Sequence, residues 1–137
     1  MFTLLEGRLA RELSEETGLS MADYTVLSNL VEAEERTWRI TELAEHMQWS
    51  QSRLSHQIMR MEQRGQVYRQ GADGDGRGTI VVLTRDGLRA IASAAPAHFS
   101  GVHRHMIHLL TPEQLEVLAD IADTVVDHLQ SLDSSDS

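Results

Sequence analysis

Between Ser50 and Gly65 the run QSRLSHQIMRMEQR places Gln51, Ser52, Arg53, Ser55, His56 and Arg60 around a stripe of Leu54, Ile58 and Met61. The stripe recurs at i, i+4 and i+7, the spacing of a helix face turned to a core. The opposite face holds Ser52, His56, Met59 and Gln63, and no acid lies on it before Glu62. A solvated helix face ordinarily mixes both charge signs, whereas Gln, Ser, Arg and His bond to phosphate oxygens and base edges. The pattern points to a helix that enters the major groove of double-stranded DNA. Gln51, Ser52, Arg53, Ser55 and His56, in its first turns, would meet the bases, and Arg60, farther along, phosphate.

A second candidate contact lies in GADGDGRG, between the β-type runs Val67–Gln70 and Thr79–Leu83. Two such runs around a glycine-rich tip predict a hairpin. A lone arginine on a thin ribbon can enter a minor groove, where narrow width concentrates negative potential. Arg77 has that position, and Asp75, two residues earlier, can pair with it and hold its direction.

Other chemistry finds less support. The seven histidines include His98, His105 and His108 at i, i+7 and i+10, predicted to share one helix face, but neither an HExxH motif nor a carboxylate in register accompanies them. A polar or interface set is the expectation, with no metal and no cofactor. The chain has no Cys, which removes thiolate nucleophiles, Cys-ligated zinc and disulfides. It also lacks GxSxG, a P-loop and a GxGxxG after a strand, so an enzyme is not expected.

The charge distribution permits a nucleic-acid partner despite an acidic total. Among 137 residues, 12 are basic, all Arg, and 21 acidic, a net charge of −9. From Arg36 to Arg89 nine arginines face six acids, a balance of +3 that leaves −12 for the rest. Exposed charges are screened beyond about 8 Å at physiological ionic strength, so a basic middle can meet phosphate while acidic ends turn away. With 41% apolar and 24% charged residues the chain suits one folded domain. Glu6 follows at once on Met1–Leu5, and the stretch from Ala90 to His103 is too short and too polar to span a membrane. A soluble, cytoplasmic protein without membrane contact is the expectation.

The elements that must position these residues are mostly helices. Leu5, Leu9 and Leu13 form a stripe of a first helix ended by Gly18. Ser20 can accept a bond from the Asp23 N–H and cap a second helix through MADYTVLSNLVEAEE, and Thr41 can cap a third that stops near Gln48-Trp49. The fourth starts after Ser50, and two helices joined by about three residues have helix-turn-helix spacing. After the hairpin, a fifth helix runs from Thr84 to about Leu110, with a kink expected at Pro96. Thr111 and Pro112 start a sixth, in which Leu115, Leu118, Ala122, Val125, Leu129 and Leu132 form a narrow seam suited to another helix.

A hairpin directly after a helix-turn-helix is a winged helix. The fold class expected is therefore mainly α (α+β): a winged helix-turn-helix with a two-stranded wing and a helical dimerisation region. One domain, 1–137, holds the DNA-binding lobe at 20–89, the dimerisation region at 1–18 and 90–132, and a frayed tail at 133–137. A homodimer is expected because a small winged lobe cannot cover Leu5 and Leu9 on one helix and Leu115, Leu118, Val125 and Leu129 on another.

The stretches GLSMADYTVLSNL, ITELAEHMQWSQSRLSHQIMRMEQRGQVYRQ, the tip DGRG, VVLTRDGLRAI and LLTPEQLEVLADI resemble the MarR family of bacterial winged-helix regulators, in order, from Gly18 to Ile121. The resemblance implies a homodimer built by the first and last two helices, two winged lobes on a palindromic operator, and repression relieved by a small, often phenolic, ligand. The family's Asp-x-Arg wing pattern falls on Asp75-Gly76-Arg77, with Gly where a basic residue is common. The pocket has no fixed motif, so no ligand-binding residue is carried over. The alternatives are a winged-helix module that docks on a protein, and a metal-responsive regulator.

Overall fold

The structure, a computed structural model, describes residues 1–71 and 78–135; Asp75 and Arg77 lie outside the described residues. The described elements are α1 (Phe2–Thr17), α2 (Met21–Glu32), β1 (Thr37–Arg39), α3 (Ile40–Met47), α4 (Gln51–Gln63), β2 (Val67–Gly71), β3 (Thr79–Leu83), α5 (Arg85–His105) and α6 (Pro112–Ser135). Short 3-10 turns occupy Glu34–Arg36 and Ile107–Leu109. The chain divides into one unit of Met1–Phe99 and another of Ser100–Ser137.

Caps set the helix borders in the first unit. Gly18 ends α1 in the left-handed region at φ 78°, where its N–H donates to the Ser14 carbonyl. At the start of α2 the Asp23 N–H donates to Ser20 Oγ at 3.0 Å, and the Ser20 N–H donates to Asp23 Oδ2 at 2.9 Å. This reciprocal pair satisfies two of the amides a helix start leaves open. The helix ends at Glu32 rather than continuing through Glu35, because Glu35 and Arg36 turn the chain with φ of 55° and 57°.

That turn delivers a strand with no counterpart in the sequence reading. Thr37–Arg39 pairs antiparallel with β3, Thr37 opposite Val82, so the sheet has the order β1-β3-β2 and the two-stranded wing is an extension of it. The pairing also moves the start of α3. It begins at Ile40 straight out of the strand, with Arg39 at the cap and no side-chain cap bond, so Thr41 lies inside the helix instead of capping it. The wing strands pair from Val67 opposite Leu83 to Gly71 opposite Thr79.

The core of this unit gathers Leu13 from α1, Val26, Leu27 and Leu30 from α2, and Leu43, Leu54, Ile58 and Met61 from α3 and α4, with Val67, Val81, Ile91 and Ala94 closing it. Leu13 is thus covered within the chain, while Leu5 and Leu9 are half-buried. Thr84 joins α5 to the sheet: its Oγ1 donates to the Gly65 carbonyl at 2.6 Å and accepts from the Gly87 N–H at 2.9 Å. A Cβ at Gly87 would stand 2.1 Å from the Gln66 carbonyl oxygen and 2.7 Å from Leu83 Cδ1. Gly87→Ala is therefore expected to cost about 1–3 kcal/mol, the range of core overpacking, seen as a lowered urea midpoint. An unchanged midpoint would refute this close approach.

The second unit contains the end of α5, the second 3-10 turn and α6. Pro96 lies within α5, which ends at His105 rather than near Leu110, because Met106 leaves helical geometry at φ −138°. His108 consequently sits on the 3-10 turn, and the expected three-histidine face does not form. Thr111 caps α6 by accepting the Gln114 N–H at 3.1 Å, and Gln114 Oε1 accepts the Thr111 N–H at 2.9 Å. The tail expected to fray is helical through Ser135, where Ser134 and Ser135 hydroxyls donate back to the carbonyls of Gln130 and Ser131. Along α6 the predicted seam residues Leu115 and Leu118 are half-buried. Val117, Ile121, Val125, Leu129 and Leu132 remain 50–57% exposed, a row at i, i+4, i+8, i+12 and i+15.

Candidate nucleic-acid interface

The α3–α4 turn consists of Gln48, Trp49 and Ser50. Gln48 takes the left-handed conformation at φ 59° and the Trp49 N–H donates to the Ala44 carbonyl at 2.9 Å, which closes α3 and redirects the chain. Ser50 then caps α4 by accepting the Arg53 N–H at 3.1 Å. The first turn of α4 carries no acid, so the positive end of its backbone dipole is unopposed. Leu54, Ile58 and Met61 are fully buried, as their spacing predicts, and turn the other face outward. Gln51, Ser52, Arg53, His56 and Arg60 are exposed there, with Ser55 half-buried and Met59 exposed among them. The first two turns thus bring together the five residues expected to read bases.

Beneath that face lies a polar network that the sequence reading did not contain. Asp23 and Gln57 are each only 3% exposed. Gln57 Nε2 donates to Asp23 Oδ1 at 2.6 Å, and Arg64 grips the same carboxylate with Nη1 to Oδ2 at 3.0 Å and Nη2 to Oδ1 at 2.8 Å. Arg60 Nη2 donates to Gln57 Oε1 at 2.8 Å, so Arg60, expected on phosphate, spends one donor on the protein. Burial opposes ionisation of Asp23, but the Arg64 and Ser20 hydrogen bonds and the Arg64 charge outweigh it and hold its pKa below the ordinary value. The network fixes α4 against the start of α2.

The wing is tied to α4 as well. Glu62 Oε2 accepts the backbone N–H of Arg69 in β2 at 2.9 Å, and Glu62 Oε1 lies 3.6 Å from Arg69 Nε. The hairpin therefore leaves α4 at a set angle, although the tip contacts expected of Asp75 and Arg77 fall outside the described residues. An open groove of about 610 Å³ beside β1 is lined by Glu34, Glu35 and Glu42 around Trp38 and Arg39, a surface that repels phosphate. Among the described residues no three His, Cys, Asp or Glu side chains converge as a metal site. His98 instead packs on Tyr24, ring centroids 4.6 Å apart, with a lowered pKa caused by burial.

Comparison with known proteins agrees with this architecture. Residues 8–93 match the family model described as transcriptional regulator SarA/Rot. AbsC, a MarR family transcriptional regulator from Streptomyces coelicolor, is 40% identical over 95% of this chain and 87% of its own, with a TM-score of 0.85. Sco3205, a MarR family transcriptional regulator from the same organism solved in complex with DNA, is 37% identical over 94% of this chain and 81% of its own, with a TM-score of 0.86. CouR from Rhodococcus jostii RHA1, solved with p-coumaroyl-CoA, shares the fold at 22% identity and a TM-score of 0.72, covering 96% of this chain and 85% of its own. No curated protein sequence matches the chain. Identity at the level of AbsC and Sco3205 over nearly the whole chain, carried on one winged-helix fold, makes this chain a member of the MarR family of transcriptional regulators.

Proposed function

We propose that the chain regulates transcription as a cytoplasmic homodimer that binds a palindromic operator by sequence and represses until a small ligand, of the phenolic kind common in the family, releases it. The observation that carries the DNA-binding part is the exposed face of α4, free of acid before Glu62, at a capped, unopposed helix start. Gln51, Ser52, Arg53, Ser55 and His56 take the major groove, and Arg60 reaches phosphate with the donors Gln57 leaves open. Sco3205, solved with DNA at 37% identity, supports this reading. For ligand release the support is family membership together with CouR, a shared fold that was solved with p-coumaroyl-CoA. No described helix is long and apolar enough to cross a membrane.

Selection of bound duplexes from a random pool tests the proposal and yields the operator. Enrichment of a palindrome with half-sites about one helical turn apart is the expected result. Equal affinity for random and enriched duplexes at moderate salt would overturn it and favour docking on a protein.

The wing enters the same experiment. Arg77 in the minor groove, oriented by Asp75, makes Arg77→Ala about tenfold weaker on every duplex, most of all with A·T-rich flanks. Arg77→Lys rescues in part, since a more strongly hydrated ammonium is costlier to place in a narrow groove. Equal affinity of the unaltered protein and Arg77→Ala, titrated at two salt concentrations, would make the wing a bystander.

A further inference from the structure

The three arginines of the α4 segment have different attachments. Arg64 spends Nη1 and Nη2 on Asp23 and turns Nε to the Arg60 carbonyl at 3.3 Å. Arg60 spends Nη2 on Gln57. Arg53 is held in another way: its Cζ sits over the Trp49 ring, 3.8 Å from the centroid. A ring face attracts the cation through its quadrupole and accepts none of the in-plane N–H groups. Among the described residues no carboxylate pairs with Arg53. Its guanidinium is therefore oriented with its donor fork uncommitted, in the first turn of the helix, on the exposed face.

The stacking partner is itself fixed. Trp49 is half-buried against the core of the first unit, and its N–H closes α3 through the Ala44 carbonyl. A flexible arginine on a helix start otherwise samples many rotamers, and binding must freeze them at an entropic cost. The indole restricts them beforehand.

We propose that Trp49 is a positioning residue for base recognition: it holds the Arg53 guanidinium over its ring so that the free fork bonds the O6 and N7 of one guanine in the major groove. The proposal rests on the assignment of α4 as the DNA-reading helix and adds to it a named base and the group that aims the contact. Arginine bidentate to guanine is the pairing that such a fork matches.

The test uses the enriched operator and a copy in which each half-site guanine is replaced in turn, titrated with the full-length unaltered chain, Arg53→Ala, Trp49→Met, Trp49→Phe and the Trp49→Met/Arg53→Ala double variant. In the unaltered protein one guanine carries a preference of at least about tenfold, which Arg53→Ala abolishes. Trp49→Met keeps apolar bulk without a ring and weakens that same preference about two- to fivefold, leaving the other positions unchanged. Trp49→Phe keeps a ring face and stays within about twofold of the unaltered chain. The double variant is no less selective than Arg53→Ala alone, because the indole acts only through Arg53. Circular dichroism melts accompany each protein; where Trp49→Met does not fold, Trp49→Leu, likewise apolar and without a ring, takes its place in the same cycle. Equal loss from the Trp49 change with and without Arg53, or uniform loss at every base pair, would overturn the positioning role and leave α4 as the DNA reader. Failure to enrich any duplex would overturn the DNA-reading assignment itself and the proposal with it.

Discussion

Val125→Asp combined with Leu129→Asp is expected to convert the protein into a monomer and to lower its affinity for a palindromic duplex about 100-fold or more, since one lobe then binds without the second held nearby. Val125 is 51% and Leu129 53% exposed in the single chain, within a row that includes Val117, Ile121 and Leu132. Such a row at helical spacing on the outside of one helix is a contact surface for another helix. The proposed two-fold pairing would cover both residues in both copies, and burying an aliphatic side chain completely contributes about 1.5–3 kcal/mol. The substitutions remove that gain and add four carboxylates to a desolvated seam. Sedimentation velocity at micromolar concentration is the direct measurement. A monomeric unaltered chain would refute the dimer, and a doubly substituted dimer would move its seam elsewhere.

Asp23→Asn is expected to lower folding stability by about 2 kcal/mol at neutral pH, less than the roughly 3–5 kcal/mol of a fully buried broken pair because the Arg64 side chain is 42% exposed. The carboxylate accepts from Gln57, Ser20 and both Arg64 Nη atoms. An amide replaces one accepting oxygen by a donor and sets donors against donors. The pH dependence has a definite sign. Burial disfavours the charge, yet the hydrogen bonds and charge of Arg64 win, so the folded pKa lies below the ordinary 3.8. The stabilisation is complete above that ordinary value and is lost as pH falls through the lower folded one. Urea unfolding of both proteins should show a constant gap near neutrality that closes on strong acidification. A gap indifferent to pH would mean that Asp23 acts by shape and not by charge.

What the sequence made legible was local. Ser20, Ser50 and Thr111 cap helices because a side-chain oxygen and the amide it accepts from are three residues apart, and Leu54, Ile58 and Met61 share a face by simple periodicity. The outward face of α4 followed from the inward one. Missing were the features that depend on distant pairing. Gln57 looks like one more polar residue of α4 until Asp23, 34 positions earlier, supplies the partner that makes its burial affordable. Thr37–Arg39 is too short to announce a strand and becomes one only beside β3. The Trp49–Arg53 stack could have been found, since four residues separate the two across a helix start. Arg60 and Arg64 could not be told apart from arginines facing solvent. On α6 the hydrophobic spacing predicted a seam from Leu115 onward, whereas the structure leaves Leu115 and Leu118 half-buried and opens an exposed row from Val117.

The bond between Glu62 and the Arg69 amide has a consequence for how copies of this protein keep apart. β3 is paired on both sides, whereas β2 presents an outer edge, and an open edge is a template on which a strand of another molecule can add. The Arg69 N–H would be a docking donor on that edge, and the Glu62 carboxylate already occupies it. The neighbouring arginine side chain adds charge where an incoming strand would lie. β1, at three residues, offers too short a run on the opposite edge to hold a stranger. The outer edge of the sheet is thereby guarded against pairing with a strand of another copy.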